Sequence, residues 1–291
     1  MIDQHTLSTL EFAKVVAAIA GNCLTPYGRE KVSGIAPFVN RIQIEEHLRE
    51  VSEMKDIVQF GDPFPLYRME DDCRPTLERA TVEGTHLDPK EILKILELLV
   101  NSRGLKEYAP EHRQKFQTID THLNDLRVFP ELQKEISRTI DEHGEVRDSA
   151  SPKLKSTRME IAEGRRRVVS KLEAMLASGK KTGIADDIVT QRNERYVMTV
   201  PSDSFRSDMG ILHDRSGSGA TLYIEPKEVV EFNNRIQTLL QDERIEIDRI
   251  LRALTTQISS HGDALAENCS VIGTLDRLHA CALNSIAIQG N

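Results

Sequence analysis

Ser151-Pro-Lys-Leu-Lys-Ser-Thr-Arg-Met-Glu-Ile-Ala-Glu-Gly-Arg-Arg-Arg-Val-Val-Ser-Lys-Leu-Glu-Ala-Met-Leu-Ala-Ser-Gly179 is the stretch on which the fold turns. It carries almost no helix breaker from Lys153 to Ala177. Proline stands near its start and Ser178-Gly179 closes it, the order in which helices use these residues. At about 1.5 Å per residue such a helix is roughly 40 Å long. Its apolar positions, Leu154, Ile161, Val168, Leu172 and Met175, are sparse and nearly heptad-spaced, while Arg165, Arg166 and Arg167 turn successive sides to solvent. A second long run goes from Pro226 to about Ser260, with a coiled-coil-like stripe at Val229, Phe232, Ile236, Leu240, Ile247, Leu251, Leu254 and Ile258, interrupted at Glu243. Two sparse stripes of this kind bury each other and little else. The spacing predicts an antiparallel two-helix arm.

Between the two runs the pattern changes to alternating, β-branched residues. Asp187-Ile-Val-Thr-Gln-Arg192 and Arg195-Tyr-Val-Met-Thr-Val-Pro201 read as strands joined by an Asn193-Glu194 turn. Met209-Gly-Ile-Leu-His213 and Ala220-Thr-Leu-Tyr-Ile224 read as a second pair, joined by Asp214-Arg-Ser-Gly-Ser-Gly219. A small β structure at the end of a paired-helix arm suits reaching around something large. It offers no enclosed pocket for a small substrate.

Outward from this segment, residues 1–148 read as short helices and turns, among them Thr9 to Ala20, Arg41 to Val58, a helix opening at Asp88-Pro89, and Glu131 to Ile140. A final helix is expected from Ile272 to Ile288. The whole chain has 291 residues, 29% of them charged and only 4% aromatic, which favours long solvated helices over a β-sandwich. No apolar run is long enough to span a bilayer, and the start lacks a signal-peptide core, so a reduced cytoplasmic setting is expected. Cys23, Cys73, Cys269 and Cys281 are scattered, with no paired spacing that indicates zinc or a disulfide framework.

The net charge of −8 argues against a polyanion partner until it is divided. Ala150 to Arg215 holds 13 Lys/Arg against 9 Asp/Glu, a balance of +4, and the remainder carries −12. In the same segment, Gly217 and Gly219 permit close backbone approach, Ser216, Ser218 and Thr221 offer hydroxyls, and Arg215 adds a charge. That composition fits a phosphate cradle or a flexible hairpin connection. It is not a Walker A loop, because the closing Gly-Lys-Ser/Thr is missing. His213-Asp214 has no companion cluster at ligand spacing, so no metal or catalytic site is assigned. Tyr196, Phe205 and Tyr223 are either stacking platforms or core. The candidate nucleic-acid contacts are Arg165, Arg166, Lys180, Lys181, Arg192, Asn193, Arg195, Tyr196, Arg206, His213, Arg215, Ser216, Ser218 and Thr221. Cations without base-reading partners imply contact with the nucleic-acid backbone and strong salt dependence.

Four stretches resemble the amino-terminal part of the bacterial MutS family, in its second branch, which lacks the mismatch-reading domains. They are Leu10-Glu-Phe12 with Leu24-Thr-Pro-Tyr-Gly28; Asp141-Glu-His-Gly-Glu-Val-Arg-Asp-Ser-Ala-Ser-Pro152; Arg192-Asn-Glu-Arg-Tyr-Val197; and His213-Asp-Arg-Ser-Gly-Ser-Gly-Ala-Thr-Leu-Tyr-Ile-Glu-Pro226 leading into Glu231-Phe-Asn-Asn234. The resemblance implies a mainly α fold, an irregular helical core with a long two-helix lever carrying a small antiparallel β clamp at its tip. The corresponding divisions are 1–148 core, 149–183 lever, 184–225 clamp, 226–259 lever and 260–291 returning core. It also implies that the chain is a fragment, with ATP and magnesium used by an ATPase domain absent from it and endonuclease activity in a further domain. No catalytic residue or cofactor site is expected within the chain itself. The implied partners are DNA, as branched or recombination intermediates whose recombination is suppressed, or the ribosome and its rRNA, in a factor that splits collided ribosomes. A helical protein-interaction scaffold is the third reading. A homodimer is expected for the full-length protein, a monomer or weak dimer for this portion, and no membrane partner.

Overall fold

The computed structural model describes residues 4–108, 115–179 and 189–290. Eight helices come first: α1 (Gln4–Thr9), α2 (Phe12–Gly21), α3 (Pro26–Ser33), α4 (Arg41–Phe60), α5 (Arg74–Ala80), α6 (Pro89–Glu107), α7 (Gln117–Asp125) and α8 (Pro130–Thr139). The long α9 (Pro152–Gly179) follows, then strands β1 (Val189–Arg192), β2 (Arg195–Pro201), β3 (Gly210–Arg215) and β4 (Thr221–Pro226). Helices α10 (Lys227–Ser260) and α11 (Gly262–Ala287) close the described chain. The fold is mainly α with one small antiparallel sheet. The expected helix from Thr9 to Ala20 is broken at Glu11, which takes a left-handed conformation with φ 52°. The last helix starts ten residues earlier than its apolar pattern shows, because His261 separates it from α10 without a proline or glycine cluster to mark the stop.

The contacts divide the chain into two compact units, Met1–Val146 with Leu251–Asn291, and Arg147–Ile250. In the first unit α11 is the central element and packs on α2, α3, α4, α5, α6 and α7. It is buried on several sides, through Leu265, Cys269, Ile272, Leu275, Leu278 and Ala282, as a helix surrounded by others must be. Its tightest partner is α3. The Asp276 carboxylate, fully buried, accepts from the Leu24 N–H at 3.0 Å, the Thr25 N–H at 2.8 Å and the Thr25 hydroxyl at 2.7 Å. Thr25 in turn caps α3 by accepting from the Gly28 N–H. A Cβ on Gly28 would stand 2.1 Å from Asp276 Oδ2, and one on Gly273 would stand 2.9 Å from Tyr27. Leu24-Thr-Pro-Tyr-Gly28 is therefore a helix start shaped to receive α11.

In the second unit α9 and the first part of α10 run antiparallel. Ser151 meets Glu246, Arg158 meets Glu243, and Gly164 lies against Ile236. Their seam buries Leu154, Ile161, Val168, Leu172 and Leu176 from α9, and Val229, Asn233, Ile236, Leu239, Glu246 and Ile250 from α10. Four expected members differ. Leu176 replaces Met175, Leu239 is buried more deeply than Leu240 and Ile250 more deeply than Ile247, while Phe232 is 36% exposed. The apolar stripe skipped the polar members of the seam. Asn233, Glu243 and Glu246 keep the heptad step and are paired: Glu243 with Arg158 at 2.6 Å, Glu246 with Ser151 at 2.8 Å and Arg249 at 2.7 Å.

Arg249 first, then Ser151, hold the Glu246 carboxyl down to about 2 against burial, which pushes the other way. A carboxylate lowered on folding stabilises the fold fully above its ordinary value of 4.5 and loses that contribution as pH falls towards 2. Glu246→Gln is expected to flatten the acid limb of stability between those two values. The expected change is on the order of 1–2 kcal/mol once the exposure of Arg249 and Lys153 is allowed for. Thermal melts across that pH range measure it; an unchanged acid limb contradicts the pairing.

Candidate nucleic-acid interface

The sheet has the order β1-β2-β4-β3, all antiparallel. The β1–β2 connection is two residues long, with φ 50° at Asn193 and 61° at Glu194, the twist that a tight hairpin needs. This turn lies on α10: Gln237 donates to the Glu194 carbonyl at 2.7 Å, and Arg244 stands 3.3 Å from the Glu194 carboxylate. The β3–β4 connection is at the opposite end of the strands, since Thr221 pairs with Pro201 while Arg192 pairs with Arg195. The two connections thus lie about 20 Å apart along β2, and the candidate residues on the sheet fall into two groups by the partners they meet.

The first group surrounds the buried Glu225. Its carboxylate receives His213 Nε2 at 2.6 Å, Arg195 Nη1 at 3.1 Å and Asn233 Nδ2 at 2.8 Å. Arg195 also reaches Asn234 Oδ1 at 3.0 Å. Asn233 binds the Tyr196 backbone on both sides, accepting from its N–H at 3.2 Å and donating to its carbonyl at 3.0 Å. A bulge between Leu212 and Asp214 leaves His213 out of the ladder. Arg195, His213 and Tyr196 therefore fasten the sheet to α10, and the Tyr196 ring packs on Val168, Leu172, Val229 and Ile236. Residue type alone does not show this attachment. The signal was present in Glu225 and Asn233-Asn234, polar residues embedded in otherwise apolar or helical patterns.

The second group is open. Arg215 and Arg206 are exposed, the latter 3.5 Å from Asp208. The Ser216–Thr221 loop uses much of its own polarity. The Ser216 and Gly219 amides donate to the Thr221 and Ser216 carbonyls, the Thr221 amide donates to the Ser216 hydroxyl, and the Ala220 amide reaches Ser218 Oγ at 3.5 Å. Those four amides and the Ser216–Ser218 hydroxyl pair at 3.3 Å close the loop on itself, which leaves Arg215 as its exposed cation. Arg192 lies over the Tyr223 ring at 4.1 Å, with Asp214 3.4 Å away, so Tyr223 already carries a cation on its face. Lys180 and Lys181 lie outside the described residues.

Positive charge concentrates on α9. That helix carries seven Lys/Arg against three Asp/Glu, Lys180 and Lys181 add two, and residues 182–215 carry four against six. Arg165, Arg166, Arg167 and Lys171 are exposed on it. Arg166 and Arg167 both meet Glu163, at 2.7 and 2.8 Å, and Arg167 first, then Arg166, hold the Glu163 carboxyl below its ordinary value. Lys171 stands over the Phe232 ring at 5.4 Å. Within residues 163–171 one acid stands against four cations, a local excess of the kind that meets phosphate groups without reading bases, although Glu160 and Glu231 border the same surface. Among the described residues, no group of three His, Cys, Asp or Glu is placed to hold a metal, and no helix is long and apolar enough to cross a membrane.

No family model matches the chain. Curated relatives do, over nearly all of its length. It is 37% identical over 284 residues to the Endonuclease MutS2 of a Geobacillus species, covering 96% of this chain and 36% of that protein. It is 36% identical over 276 residues to the Endonuclease MutS2 of Symbiobacterium thermophilum, covering 94% and 34%. It is 34% identical over 292 residues to the putative endonuclease MutS2 of Bacillus subtilis, covering 99% and 37%. The chain thus spans about a third of the length of the relatives it matches.

Proposed function

This chain belongs to the second, MutS2 branch of the MutS family, and on that premise we propose that it grips nucleic acid through phosphate contacts made by the exposed basic face of α9. One observation carries the reading. A chain of net charge −8 concentrates its positive excess on one helix, at exposed positions that the seam with α10 does not use. Arg192, Arg206 and Arg215 add separate cations on the sheet, where residues 182–215 carry four cations against six acids. Glu225, Arg195, His213 and Asn233 hold the sheet in place. The target is branched DNA, gripped without base readout, in a protein that acts against recombination intermediates. The endonuclease activity named for the relatives, ATP with magnesium, and a dimer contact are proposed for the whole protein, of which a chain this long is about a third.

Band shifts on four-way junction DNA at low salt test the reading, with co-sedimentation on stalled ribosomes as the second arm. Junction binding that weakens steeply with added salt is expected. Ribosome binding with no junction binding would replace DNA by rRNA as the target. Failure of both in low salt would leave a protein-interaction scaffold.

A further inference from the structure

In the first unit the fold brings together two cysteines that lie 196 positions apart in the chain. Cys73 precedes α5 and Cys269 lies within α11. Their sulfurs are 3.6 Å apart, and both residues are buried. The Tyr27 hydroxyl has a defined role at Cys73. It accepts the Cys73 N–H at 3.0 Å, so its single hydrogen is left to point at the Cys73 sulfur, also at 3.0 Å. We propose that Cys73 and Cys269 form an oxidation site, in which hydrogen peroxide joins them in a reversible disulfide and Tyr27 directs the first step to Cys73.

Donors aimed at one sulfur stabilise its thiolate. The Cys269 thiol and the Tyr27 hydroxyl hold the Cys73 thiol below its ordinary value, while Cys269 is raised by its contact with Cys73 and by burial. The Cys73 thiolate attacks one peroxide oxygen. The O–O bond breaks, Cys73 becomes a sulfenic acid, and the departing hydroxide takes up the proton that Cys73 released, forming water. The Cys269 thiolate then attacks the sulfenyl sulfur, the S–O bond breaks, and the second hydroxide leaves as water with the Cys269 proton. The two thiols lose two hydrogens and two electrons, which reduce one peroxide to two waters. The sulfurs must close by about 1.5 Å to reach bonding distance, a movement that side-chain rotation and a small shift between α5 and α11 can supply.

Neither sulfur reaches the surface, and the nearest opening lies at the α5–α11 seam. A surface cavity of about 670 Å³ is lined there by Arg74, Leu77 and Ala266, among others. Arg74 follows Cys73 directly, and Ala266 is one turn before Cys269. The other two cysteines lack this arrangement: burial first, and then the Asp276 charge, push the Cys23 thiol up to about 12, and burial raises Cys281.

The test treats the native 291-residue chain with peroxide, blocks remaining thiols with iodoacetamide after denaturation, and maps the peptides. A Cys73–Cys269 linked peptide is expected, with Cys23 and Cys281 alkylated and the link lost on reduction. Cys73→Ser and Cys269→Ser should each abolish it. Tyr27→Phe should keep the fold, as judged by circular dichroism, yet slow cross-linking roughly tenfold at neutral pH and move its pH–rate profile upward. Peroxide-treated protein in which Cys73 and Cys269 both remain alkylatable would overturn the site. An unchanged rate and pH profile in Tyr27→Phe would overturn the part given to Tyr27.

Discussion

Asp276→Ala is expected to cost the first unit about 3–5 kcal/mol, since each buried donor left without an acceptor costs on the order of 1–3 kcal/mol. The reason is the number of donors that converge on it. The Leu24 and Thr25 amides and the Thr25 hydroxyl all end on this carboxylate, and Thr25 and Asp276 are fully buried. Removing it leaves three buried donors unmet and opens a void where Gly28 and Gly273 allow α3 and α11 to touch. Asp276→Asn keeps the shape but offers one acceptor oxygen, so it should fall between wild type and alanine. Chemical denaturation of the three proteins measures the order. An alanine variant within about 0.5 kcal/mol of wild type, the spread of ordinary surface changes, would show that α3 does not depend on this contact.

Glu225→Ala is the second large effect, and it is confined to the second unit. Glu225 is buried and joins His213, Arg195 and Asn233, so its loss strands one cation, one imidazole and one amide at the junction of sheet and α10. A cost of about 3–5 kcal/mol follows from the same reasoning. The damage should be local: amides of β2 and β4 exchange faster, and those of α11 do not. Its effect on nucleic-acid binding separates two roles that a residue list merges. If Arg195 and His213 position the sheet, Glu225→Ala and Arg195→Ala weaken binding without changing its salt slope. If Arg195 touches phosphate, its alanine variant lowers the slope by about one unit.

The two long helices and four strands were legible because each follows a period: nearly heptad for α9 and α10, two for the strands, with a turn residue at each reversal. What was not legible follows from the same rule. A stripe drawn through apolar residues omits Asn233, Glu243 and Glu246, which hold seam positions because Tyr196, Arg158, Ser151 and Arg249 satisfy them. The short helices α5 and α7 carry too few turns to show a period. Asp276 gave no signal at all, since its partners lie about 250 positions away. For the interface, residue type alone separated cations from the rest but not exposed cations from engaged ones. Arg165 and Arg195 look alike in the sequence. One stands in solvent on a helix, and the other ends on a buried carboxylate.

A triple substitution tests phosphate contact by the α9 face without disturbing the fold. Arg165→Ala, Arg166→Ala and Arg167→Ala together remove three exposed cations while raising helix propensity slightly. The ion pairs lost with Glu163 are solvent-exposed, so their loss leaves stability almost unchanged. The measurement is the affinity for four-way junction DNA across a series of salt concentrations, for the wild-type chain and the triple variant. The predicted result is a slope of log affinity against log salt shallower by about two to three units, at unchanged thermal stability. Equal slopes for the two proteins would contradict the account.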